Sequence, residues 1–119
     1  MGNTIGGSIV AYPAGADLSG SAGLGAVVNA AGNAVLAGAG VNILGVIQDT
    51  TPAADASGKM VDISVDGLAS VITGAAVTAG DTLEVDAAAK FITLAAGKSV
   101  AVALQSAAGA NATIRVKLL

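Results

Sequence analysis

The chain reads as an all-β domain: a small antiparallel barrel or sandwich built from two related groups of strands, with an extended N-terminal arm. Three observations predict this. Apolar and polar residues alternate with a period of two in "KMVDISVDG" (Lys59 to Gly67), "TLEVD" (Thr82 to Asp86) and "TIRVKLL" (Thr113 to Leu119), the spacing of a strand lying over a core. No window holds a sustained helical period. Finally, Val28 to Gln48 returns 57 positions later as Val85 to Gln105 (105 − 48 = 57), without a gap and with six identities in 21 positions. A unit of two to four strands cannot bury its apolar face alone, so two copies closing on each other give the repeat a structural cause.

Residues 1–24 are rich in Gly, Ser and Ala and carry one apolar patch, "IGGSIVAYP" (Ile5 to Pro13). They read as an arm or an edge strand preceding a single domain over 25–119; the alternative is a frayed terminus, or the first strand of the main sheet. Within the domain, "GAVVN" and "AVLA" flank the turn-forming "NAAGN". "NILGVIQ" (Asn42 to Gln48) is a near-continuous apolar run of strand length, β-branched at Ile43, Val46 and Ile47. Asp49 to Gly58, punctuated by Pro52, is a loop. Val61, Ile63 and Val65 then point to one face and Met60, Asp62, Ser64 and Asp66 to the other. The Asp66-Gly67 pair is a hairpin signal leading into "LASVIT". After the turn at Gly80-Asp81, Leu83 and Val85 point inward and Glu84 outward. The second copy continues through "KFITL" and "SVAVALQ", and Ile114, Val116 and Leu118 alternate along the last strand.

Composition bounds the function. The hydrophobic fraction is 54%, but 28 of those residues are alanine and only two of the chain's residues are aromatic, Tyr12 and Phe91. Charged residues make up 11%, against about 25% in an ordinary soluble domain. A monomer relies on surface charge to stay apart from its neighbours, so a bland exterior of small residues suits a surface covered by other proteins. Ser, Thr, Asn, Asp and Gly interrupt every apolar run, which predicts no membrane span. The first residues lack the positive n-region of a secretion signal. Without cysteine there is no disulfide framework. The five Lys and Arg residues form no basic run, which argues against nucleic acid as a partner.

The chemistry of catalysis is thin. There is no histidine or cysteine, hence no ordinary base near neutral pH and no thiol nucleophile. Lys98 and Ser99 are neighbours, which on a strand sends their side chains to opposite faces. Asp81, Glu84 and Asp86 lack the spacing of a calcium loop and read as a solvated face near a turn. Asn111-Ala112-Thr113 is a glycosylation sequon, without meaning in a chain that is not secreted. The reading is of a protein that is not an enzyme, with no cofactor and no metal.

The ordered series "VNAAGNAVLAGAGVNILGVIQ", "KMVDISVDG", "AGD" (Ala79 to Asp81) leading to Leu83 and Asp86, and the closing "RVKLL" resembles the capsid cement, or head decoration, proteins of tailed bacteriophages, the lambda-type among them. "ADLS" (Ala16 to Ser19) is similar to the family's passage out of its arm. The chain departs from the pattern at Ala89, where many relatives have glycine, and at Val102. The resemblance implies a β-tulip-like structural protein on the outer surface of a virion. There it would commonly be a homotrimer, bridging neighbouring major capsid proteins after expansion and made in the host cytoplasm. The apolar residues Ile5, Ile9, Val10 and Tyr12 are then the candidates for a capsid-binding arm, by addition of a strand to a capsid sheet; the alternative is that they finish the protein's own sheet. A second reading, from a different class, is a carbohydrate- or receptor-binding module displayed on a phage or cell surface. Such a site wants an exposed aromatic platform.

Overall fold

A computed structural model describes residues 8–16, 18, 20–48 and 60–119. Every regular element in them is a strand: β1 (Ile9–Pro13), β2 (Gly25–Val28), β3 (Ala34–Leu36), β4 (Gly45–Ile47), β5 (Met60–Ser64), β6 (Gly67–Ile72), β7 (Thr82–Val85), β8 (Phe91–Thr93), β9 (Ala101–Ala103) and β10 (Thr113–Leu118). They form two five-stranded antiparallel sheets, ordered β1-β5-β4-β2-β3 and β6-β10-β9-β7-β8. Adding five to each strand number of the first order gives the second. The duplication therefore runs through all ten strands, well beyond the stretch in which sequence identity survives.

The pair is sandwich-like, and the barrel alternative is not what forms. Each sheet curls, because a single parallel bridge ties the chain just past its first strand to the strand at the opposite edge, Ala14 to Ala34 in one and Thr73 to Phe91 in the other. One bridge bends a sheet without sealing it. Residues 9–16, within the stretch expected as an arm, run here as edge strand β1 and the turn after it, paired antiparallel with β5 from Ile9↔Ser64 to Pro13↔Met60. Pro13, with no N–H to give, is suited to such an edge. The expected loop Asp49 to Gly58 lies outside the described residues.

The correspondence also shows where the gapless echo fails. β2 maps onto β7 with a shift of 82 − 25 = 57 and β3 onto β8 with 91 − 34 = 57. The loops between them bond alike. The Asn29 carboxamide oxygen accepts from the N–H groups of Ala31 and Asn33, and Asp86 Oδ1 accepts from those of Ala88 and Lys90. In the first loop Gly32 takes φ 83°, and in the second Ala89 takes φ 64°, a region in which a Cβ is strained. At β4 the shift drops to 103 − 47 = 56, because Ile47 faces Ile63 while Ala103 faces Val116. One residue has been lost between Gly97 and Val100. The structural counterparts of Val46, Ile47 and Gln48 are thus Val102, Ala103 and Leu104, and the matching glutamines Gln48 and Gln105 are not equivalent.

The core divides the same way. Ala14, Leu18, Ala26, Ala34, Ile47, Val61 and Ile63 fill the curl of the first sheet. A larger cluster around Phe91, Leu83, Val85, Val71, Ile114 and Val116 fills the second and takes in Ala37 and Val46 from the first half. β4 is therefore buried on both faces, Ile47 toward one cluster and Val46 toward the other, which is why its sequence is an unbroken apolar run. The strand itself covers only Gly45–Ile47, shorter than that run.

The halves meet at another pair of counterparts, Gly40 and Gly97 (97 − 40 = 57). Gly40 N–H donates to the Val85 carbonyl (2.9 Å) and Lys98 N–H donates to the Gly40 carbonyl (3.0 Å). A Cβ on Gly97 would lie 2.5 Å from the Gly40 Cα and 2.1 Å from a Glu84 carboxylate oxygen. Only glycine permits the loops to cross this closely. Gly97→Ala is expected to cost about 2 kcal/mol as an overpacking substitution, read as a lower urea midpoint at unchanged slope. A midpoint equal to that of the parent chain would show that the crossing tolerates a side chain.

Candidate functional site

Of the residues expected in a capsid-binding arm, Ile5 lies outside the described residues. The other three separate by strand parity. Val10 and Tyr12 turn inward, half-buried against the first core, while Ile9 points outward and is 58% exposed. The Val65 N–H donates to the Ser8 carbonyl (3.0 Å), and in an antiparallel ladder this assigns Ser8, Val10 and Tyr12 to bonding with β5. The N–H and C=O groups of Ile9 and Ala11 consequently face the open edge. Asp66 caps the start of the strand, its Oδ1 accepting the Ser8 N–H at 2.6 Å.

β6 is the counterpart of β1 in the other sheet and is likewise at an edge. A groove of about 680 Å³ opens beside it, lined by Leu68, Ala69, Ser70 and Ile72 of β6, Thr113 and Arg115 of β10, Ile47 and Gln48, Ser64, Ala22 and Gly23, and Ile9. Gln48 Nε2 donates to Ser64 Oγ in its wall. Sequence reasoning treated β6 as an ordinary strand and missed this surface. The available signal was an inversion in "GLASVI": the inward positions are Ala69 and Val71, and the larger Leu68 and Ile72 are on the other side, only partly buried.

Asp81, Glu84 and Asp86, weighed above as a calcium site, each serve separate loop groups. Asp81 Oδ2 accepts from Thr78 N–H (2.9 Å) and Thr93 Oγ1 (3.2 Å), and Asp86 holds its own loop. Glu84, expected on a solvated face, is buried at 6% exposure. Its two oxygens accept the N–H groups of Ala95 (3.0 Å) and Gly97 (2.7 Å), so it organises the loop at the crossing of the halves. Among the described residues no three of His, Cys, Asp and Glu are grouped to hold a metal. Lys98 and Ser99 lie in the loop before β9 rather than on a strand.

A duplicated β fold with open sheet edges and exposed apolar side chains, in which Asp81, Glu84 and Asp86 bond to their own loops, presents surfaces suited to contact with other proteins. The family comparison specifies which kind of protein this is. The model of the phage cement proteins matches residues 9–118, nearly the whole chain, and the protein belongs to that family. No curated protein matches its sequence. The family is one of structural phage proteins associated with the capsid.

Proposed function

We propose that this protein binds the outer surface of an expanded phage head and bridges neighbouring major capsid proteins, stabilising the shell against the pressure of packaged DNA. The match over residues 9–118 carries the reading. The surface fits it: few charges and many small side chains permit close packing on a shell, and many copies each touching several subunits turn modest contacts into high avidity. The protein acts as a homotrimer in this reading, is made in the host cytoplasm and has no enzymatic role. The arm contributes Ile5 and Ile9 to the capsid contact, while Val10 and Tyr12 hold β1 in register. A sugar-binding role is disfavoured because Phe91 is fully buried and Tyr12 packs against the core, which leaves no aromatic platform.

The protein is expected to co-sediment with expanded heads and not with unexpanded ones, and decorated heads are expected to release DNA at a higher temperature than bare ones. Equal sedimentation with both head forms would remove expansion from the account, and equal release temperatures would remove clamping. Ile9→Asp is expected to lower occupancy on heads at unchanged thermal stability of the free protein; full occupancy would take the arm out of the contact.

A further inference from the structure

The groove beside β6 has the features of a strand-accepting site. Its backbone is available: Thr73 N–H donates to the Ala112 carbonyl (2.8 Å), so the odd-numbered residues of β6 bond to β10 in the register Ile114↔Val71 and Val116↔Ala69. The N–H and C=O groups of Leu68 and Ser70 point the other way. At the end of the strand the Ile72 N–H is taken by the Gly23 carbonyl (3.0 Å), while those of Leu68 and Ser70 meet no backbone partner among the described residues. Its side chains add an apolar lining, with the partly buried Leu68 and Ile72 on one wall and the 58% exposed Ile9 on the other. Among the described residues, Arg115 is the only charged one in that lining.

The charge discriminates between occupants. The edge strands of a second copy are IVAYP, AVL, GLASVI and FIT, and none carries a carboxylate. Residues 1–7, MGNTIGG, carry none either. Pairing β6 with one of these edge strands, or with residues 1–7, therefore sets no carboxylate opposite Arg115. We propose that the groove takes an extended segment of the capsid protein as an added strand beside β6, with apolar residues at alternate positions and an acidic side chain opposite Arg115. Main-chain bonds to Leu68 and Ser70 supply attachment, and the alternate side chains supply selectivity. The proposal rests on the capsid-binding reading above and assigns it a site.

The test uses the full chain on expanded heads. Hydrogen exchange at the Leu68 and Ser70 amides is expected to slow at least tenfold on binding. A photo-cross-linking residue at position 70 is expected to capture a capsid-protein peptide containing Asp or Glu. Arg115→Glu, at an exposed position, is expected to lower occupancy about tenfold with the melting temperature of the free protein unchanged. Bound protein whose Leu68 and Ser70 amides exchange as in the free state would overturn the groove assignment alone. So would cross-links confined to a second copy or to residues 1–7. Failure to bind heads at all would overturn the capsid reading, and this proposal with it.

Discussion

Phe91→Ala is expected to lower the unfolding free energy by about 3–5 kcal/mol, the range for truncating a buried aromatic ring. Phe91 is fully buried, begins β8 opposite Val85, and its carbonyl accepts the Gly74 N–H (2.9 Å) beside the bridge that curls the second sheet. Its counterpart in the first sheet, Ala34, occupies the same place and is equally buried. The first sheet thus closes around a methyl group and the second around a ring, so truncation at 91 leaves a cavity that neighbours already shaped to the larger side chain cannot collapse to fill. At roughly 4 °C per kcal/mol for a domain of this size, the melting temperature is expected to fall by about 15 °C. Ile9→Ala, at an exposed edge, serves as the control and is expected to stay within about 0.5 kcal/mol of the parent. A Phe91→Ala chain melting within a few degrees of the parent would mean that the second core does not depend on the ring.

How far the fold was legible in the sequence depended on whether a strand buries one face or two. β10 reads Thr113 to Leu118 with strict alternation, and its burial alternates the same way; β5 showed its inward Val61 and Ile63 for the same reason. β4 is buried on both sides, so its sequence carries no period from which to read its length or facing. Glu84 obeys the alternation of β7 but is covered by the loop at Gly97, a contact 13 residues away that no local pattern encodes. The repeat was visible where the loops bond alike, at Asn29 and Asp86, and lost its register where one residue is missing after Gly97. A structural role was legible as a class, from scarce charge and many small side chains. The groove was not, because it is assembled from β4, β5, β6, β10 and the start of β1, and only the topology brings those together.

Gly45→Ala is expected to be nearly as damaging as the loss of Phe91, although it adds a single methyl group. A Cβ at position 45 would fall 2.0 Å from the Ser64 carbonyl oxygen and 2.8 Å from the Ser64 carbonyl carbon and Ile63 Cγ2. Two of the three obstacles are backbone, so no rotamer change relieves them, and β4 or β5 must move off the Val46↔Ser64 and Ile47↔Ile63 pairs. A cost of about 3 kcal/mol or more follows, at the upper end for overpacking because the strand cannot yield without breaking ladder bonds. The duplicate fold provides the comparison. The counterpart of Gly45 by ladder register is Ala101, fully buried, where β10 continues one pair further to Ala101↔Leu118 instead of turning away as β5 does after Ser64. Ala101→Gly is therefore expected to cost only about 1 kcal/mol, from lost strand order and a small loss of buried surface. Equivalent positions in the two halves thus demand opposite residues, and the difference originates in the path of the neighbouring strand. Equal urea midpoints for Gly45→Ala and Ala101→Gly would show that the two β4-type strands sit in the same surroundings, and the asymmetry argued from the ladders would be wrong.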